Sequence, residues 1–235
     1  MLTIQESQQQ ARKVELDLFH TLEKIYKYRI KRDPDFPSYT SSIHSKYYNL
    51  VLAAIRKAIE IVHREGIEYV GSKLKQEVYF TDTDIDTIKV QAEFTTNLFF
   101  NMINKESEIL QREQNNNNAL KGAAIEEDQS IEKIETQTGV LAILKRIVVS
   151  AVTIAFSKSI LSKANQLPTS LSFTRTGEFS HKVRWVTRAD ERVCPICFQL
   201  HNQIFYTNNA AIPLPGTLGT LGSHPSCRCY LELVT

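Results

Sequence analysis

Apolar positions in the first two thirds of the chain recur every three or four residues, the spacing that lines one face of a helix. Val14, Leu18, Leu22, Ile25 and Tyr26 form such a stripe in a tract from about Gln5 to Lys31. The run Asp33-Pro34-Asp35-Phe36-Pro37 ends it, because proline cannot continue the amide ladder and biases its predecessor toward extended geometry. A second helix is predicted from the cap cluster Thr40-Ser41-Ser42, with Tyr47, Val51, Ala54, Ala58 and Ile61 on one face. Gly66 and Gly71 predict a break or tight turn around Ile67-Glu68-Tyr69-Val70. A third helix starts at Thr81-Asp82-Thr83-Asp84, where a hydroxyl and carboxylates suit an N-terminus, and turns Ile88, Ala92, Thr95, Phe99 and Met102 inward. It extends to about Gln111; the polar run through Asn118 reads as a loop, with a frayed helix end as the alternative, and the segment Ala123 to Asp128 continues a solvated connection. A fourth and most apolar tract covers about Ser130 to Ala164.

After Pro168 the pattern changes to alternation of apolar and polar positions, the period of a strand. Strands are predicted at Lys182–Thr187, Gln203–Tyr206 and Arg228–Val234, with a Pro/Gly-rich loop from Ile212 to Gly222 before the last. The expected architecture is α+β. A long-helix bundle is expected over residues 1–168, a surface suited to assembly and partner binding if the chain is an assembly protein, and a small β-rich Cys/His module over 169–235.

The 235 residues are 42% hydrophobic and 23% charged, ordinary values for a soluble globular chain, and a net charge of +2 does not by itself call for a nucleic-acid partner. The start, Met1 to Ser7, lacks the basic and apolar regions of a signal peptide, so a reducing cytoplasm is the expected folding environment. The stretch Val140–Phe156 carries Lys145 and Arg146 near its start and falls short of the ~20 apolar residues of a spanning helix. It reads as a buried bundle helix, with no membrane partner.

All four cysteines lie at or beyond position 194, as Cys194-Pro195-Ile196-Cys197 and His224-Pro225-Ser226-Cys227-Arg228-Cys229. Buried free thiols would scatter through the core. A Cys-x-x-Cys turn followed by a second Cys/His cluster instead closes a small module around a metal, and zinc takes four tetrahedral thiolate or imidazole ligands. Five candidates compete: Cys194, Cys197, His224, Cys227 and Cys229. The simplest set is the first two with Cys227 and either His224 or Cys229; His201 is a weaker sixth. Two disulfides, or packed reduced thiols, are the alternatives. Trp185 reads as the anchor of the small sheet, and Asp190-Glu191 as a cap on the turn before Cys194.

The order Trp185, Thr187, Asp190-Glu191, Val193-Cys194-Pro195-Ile196-Cys197, Leu200-His201-Asn202-Gln203 before Phe205, Pro213-Leu214-Pro215 and His224-Pro225-Ser226-Cys227-Arg228-Cys229 resembles the C-terminal signature of the phage Mu F-like minor head proteins, the head morphogenesis family of tailed viruses. The match covers residues 180–231 and leaves the helical remainder unmatched. Where the family often has Leu-Asp-Gly-Gln, this chain has Leu200-His201-Asn202-Gln203; Asn202 can still take the left-handed turn conformation. The resemblance implies a minor capsid protein without catalytic turnover. It would assemble in the host cytoplasm, reside in the virion, and contact the portal or major capsid protein.

Five cations, Lys24, Lys27, Arg29, Lys31 and Arg32, share a short stretch with Tyr26 and Tyr28. They suggest a second reading, a DNA-binding protein packaged and ejected with the genome. Against it stands a solvated helix face with inward tyrosines. A zinc-finger nuclease is a third reading, but His224 is the one histidine embedded in the cluster and no His-His or Asp-His pair accompanies it.

Overall fold

The computed structural model describes residues 3–38, 41–120, 132–167, 180–187, 195–209, 212–216, 227 and 229–234, with helix side chains described over 44–116 and 139–167. Helix α1, Ile4–Ile25, opens with a capping box: the Thr3 hydroxyl accepts from the Glu6 amide while the Glu6 carboxylate accepts from Thr3 N. Its stripe Val14, Leu18, Leu22 and Ile25 is buried as the spacing predicts. The helix then widens into a π turn, Tyr26–Ile30, in which Lys31 N donates to Tyr26 O, and both Tyr26 and Ile30 face the core. The proline-bounded loop follows and is pinned by buried Asp33, which accepts from Lys46 Nζ and Tyr47 OH at 2.7 Å each.

Helix α2, Ser41–Leu74, buries Val51, Ile55, Ala58, Ile59 and Val62, while Ile61 faces out. The predicted break at Gly66 and Gly71 does not occur. Gly66 is a contact point instead: a Cβ there would lie 1.8 Å from Ser159 Oγ and 3.2 Å from Phe156 O. The missing side chain lets another helix close against α2. The turn comes later, at Lys75, whose φ of 54° is left-handed.

Helix α3, Asp82–Leu120, buries the whole stripe Ile88, Ala92, Thr95, Phe99 and Met102. It also runs through the asparagine-rich segment expected to be a loop. The Gln111 side chain donates to Pro37 O at 3.1 Å, fixing the helix where the apolar stripe ends. Asparagine lowers helix propensity by only about 0.7 kcal/mol per residue, which polar composition alone does not convert into a stop. The expected connection Ala123–Asp128 lies outside the described residues.

Helix α4, Glu132–Gln166, packs against α1, α2 and α3, as α2 does against the other three. Its segment Gly139–Gln166 is long and apolar enough to cross a membrane by length and composition. Leu144, Val148, Val152, Ala155, Phe156 and Ile160 of this segment are buried against protein, while Ile143 is exposed.

The three strands, β1 Lys182–Val186, β2 Ile204–Tyr206 and β3 Tyr230–Val234, form an antiparallel sheet in the order β2-β1-β3, and the short helix α5, Pro195–Leu200, precedes β2. Val183 pairs with Leu233 and Trp185 with Leu231, and these four buried side chains join the same core cluster as the helices. Leu233 N donates to the buried Tyr69 OH of α2 at 3.2 Å, and Thr153 Oγ1 of α4 donates to Cys227 O at 3.2 Å. The protein is therefore an α+β fold, with long helices first and a small sheet beside a cysteine cluster near the C-terminus.

Candidate metal centre

The pairing of β3 with β1 brings the residues just before β3 beneath α5. Cys227 and Cys229 lie on that approach, and Cys197 occupies the first turn of α5. All three are buried, and their sulfurs lie within 4.8 Å of one another. The sulfurs of Cys197 and Cys227 are 3.5 Å apart, and Cys229 N donates to Cys227 Sγ at 3.4 Å. The hydrogen bond to Cys227 and then burial push the Cys229 thiol strongly upward. Several thiolates this close in a dry site repel one another, and a cation relieves that repulsion. Three buried cysteines so placed can hold a metal ion. Among the described residues this is the one such cluster.

Of the five predicted candidates, the structure brings together Cys197, Cys227 and Cys229. Cys194 and His224, and with them Asp190, lie outside the described residues. His201 is held elsewhere: its Nδ1 accepts from Thr187 N at 3.1 Å, and Asn202 beside it takes the left-handed conformation, φ 66°. Trp185 is fully buried in the sheet's inner face; among the described residues its indole N–H has no acceptor. A cavity of about 50 Å³ opens beside the cluster, lined by Gln8, Arg12 and Glu15 of α1, Thr153 of α4, Cys229 and Tyr230.

The basic stretch spans the end of α1 and the π turn. Lys24, Lys27, Arg29 and Arg32 are exposed, but Lys27 is held by Glu23 at 2.8 Å. Lys31 lies half-buried over the Tyr26 ring, and burial, then the neighbouring Lys27, lower its pKa. Tyr26 points inward to Glu106, whereas Tyr28 is exposed under Arg32.

A buried polar cluster escaped the sequence reading. Asp84 accepts from Lys163 Nζ and from the Thr81 amide and hydroxyl, and its second oxygen meets His63 Nε2 at 2.9 Å. Lys163, His63 and Asp84 are at most 2% exposed. Burial alone would raise the Asp84 carboxyl, but the bonds from Lys163, His63 and Thr81 outweigh it and hold its pKa at about 2. Burial lowers the His63 pKa. Only the Thr81–Asp84 half was visible, as a helix start; nothing in the local sequence distinguishes His63 or Lys163 from surface residues.

No family model matches this chain, and no curated protein and no solved structure matches it either.

Proposed function

We propose that the chain is a minor head protein of a tailed virus, acting in capsid assembly beside the portal or inside the head, and that its thiol cluster is a structural zinc site. The observation that carries the reading is the ordered motif from Trp185 to Cys229, three of whose cysteines converge at one buried point. Cys197, Cys227 and Cys229 would supply three thiolates, and Cys194 or His224, each three positions before a cluster cysteine, the fourth ligand. A closed, buried set suits stabilisation of a small module more than turnover. The long helices α3 and α4 would supply surface to the portal or major capsid protein.

Elemental analysis of the purified chain, with thiol counts before and after chelation, tests the metal: one zinc per chain and thiols reactive only after chelation are expected. Mass spectrometry of purified particles from the virus that encodes the chain tests the role. Its absence from both mature particles and procapsids would overturn it.

The exposed cations Lys24, Arg29 and Arg32 around Tyr28 favour a second reading, contact with packaged DNA. It requires DNA affinity that falls steeply with salt and flattens on replacing Lys24, Arg29 and Arg32 by glutamine.

A further inference from the structure

No Asp, Glu, Lys or Arg occurs between Arg192 and Arg228, in a chain whose overall charged fraction is 23%. Within that stretch lies β2, the outer strand of the sheet. The opposite edge, β3, abuts the bundle through Leu233 and Tyr69. Among the described residues nothing pairs with the free side of β2. Proteins that keep such an edge single usually place a lysine, a proline or a bulge on it. Here it reads Gln203-Ile204-Phe205-Tyr206-Thr207, and large apolar side chains beside it are open to solvent: Ile204 is 53% and Phe198 71% exposed, with Ile196 and Tyr206 also exposed.

We propose that β2 is a self-pairing edge, joining two copies of this chain about a twofold axis through Phe205. The hydrogen-bond pattern fixes the register. Trp185 N donates to Gln203 O at 2.9 Å and Thr207 N to His181 O at 2.8 Å, so odd-numbered residues of β2 face β1. Ladder alternation then turns the backbone groups of Ile204 and Tyr206 outward. In an antiparallel pair centred on Phe205, Ile204 of one copy stands opposite Tyr206 of the other, and the reverse. Both are hydrogen-bonding positions. The Tyr206 carbonyl also accepts from Asn209 N, but its second lone pair remains for the partner copy. The side chains brought face to face are a β-branched residue and an aromatic, a favourable cross-strand combination; β2 itself carries no charge, and Lys182 of β1 lies over the Tyr206 ring, 5.6 Å from its centroid. The result is a six-stranded sheet that closes as a dimer, because the β3 edges are occupied. The strand is only three residues long, so the contact is smaller than the 1,200–2,000 Å² of a standard interface and a weak dimer is expected, with Kd on the order of 10–100 µM. This inference stands apart from the capsid and zinc readings.

Sedimentation velocity from about 1 to about 300 µM tests it across the expected Kd range. The chain is expected to shift from monomer to dimer. The variant Ile204→Lys/Tyr206→Lys should stay monomeric with an unchanged circular dichroism spectrum, as should Ile204→Glu/Tyr206→Glu. An equimolar mixture of the two should recover the dimer. Val90→Lys, on the exposed face of α3, should dimerise as the parent does. A parent that is monomeric throughout, a dimer that survives in the double-lysine variant, or a mixture that fails to pair each overturns the proposal.

Discussion

Removing Lys163 should reverse the pH dependence of His63. In the folded protein Lys163 and His63 both face Asp84, and all three are out of contact with water. Lys163 faces Asp84 as its counter-charge, and burial lowers the His63 pKa from its ordinary value, favouring the neutral ring. A base whose folded pKa is depressed costs stability as pH falls through its unfolded value, because the unfolded chain takes up the proton first. In Lys163→Met, Asp84 keeps His63 as its one charged neighbour. The imidazolium form is then favoured, the folded His63 pKa rises, and stability is gained below the unfolded pKa and lost as pH rises through the folded one. Surface pairs contribute about 0–1 kcal/mol, but burial this complete puts the loss near 3–5 kcal/mol at pH 8. For a chain of this size that is about 6–20 °C in Tm. Between pH 8 and 5 the deficit should shrink by up to about 1.4 kcal/mol per pH unit, the limit for one proton. The assay is urea denaturation of parent and variant at matched pH, read as the difference. The difference removes the contribution of Glu106, whose carboxyl burial raises to about 7 and which acts on the parent with the opposite slope. A deficit below about 1 kcal/mol at pH 8, or one that grows on acidification, would refute the coupling.

Other perturbations probe separate features. Gly66→Ala drives a methyl into Ser159 Oγ and should cost about 1–3 kcal/mol in chemical denaturation, part of it recovered by Ser159→Ala. Glu106→Gln should raise stability at pH 8 and have little effect near pH 4.5, since the parent loses stability as pH climbs from 4.5 toward 7; thermal melts at the two pH values decide. Tyr69→Phe strands the Leu233 amide and should cost about 1–3 kcal/mol, with hydrogen exchange accelerating in β3 before the helices. Mild diamide treatment after chelation should link Cys197 to Cys227, their sulfurs being in contact; a peptide map dominated by another pair would count against this arrangement of the cluster.

The parts legible in the sequence were those governed by periodicity. The stripes of α1 and α3 came out residue for residue, and the alternation around Trp185 marked the strand that became the centre of the sheet. Asn202 was readable because few side chains accept its conformation. Errors arose where a residue's meaning depends on a distant neighbour. Gly66 looks like a helix breaker until Ser159, ninety-three positions on, arrives against it. Asn115–Asn118 look like a loop because polar composition says little about whether a helix backbone continues, as α3 does to Leu120. Lys163 sits near a helix C-terminus, where lysines are common on electrostatic grounds, so its burial against Asp84 had no local mark. Convergence of Cys197, Cys227 and Cys229 was foreshadowed by spacing, whereas the inclusion of Cys229 was decided by the approach to β3.

The meeting of Tyr69 with Leu233, 164 positions apart, has a kinetic consequence. Contacts between successive helices, α1 with α2 and α2 with α3, span short stretches of chain and close quickly. The seam between bundle and sheet instead requires closing a loop of most of the chain, and it gathers α1, α4 and the residues around Cys229 at one cavity. Docking the sheet on the bundle closes a far longer loop than the 32 positions that separate Cys197 from Cys229, so the thiols can meet within their own module before that seam forms. Chains caught before that step would carry a formed bundle and a cysteine module not yet docked on it.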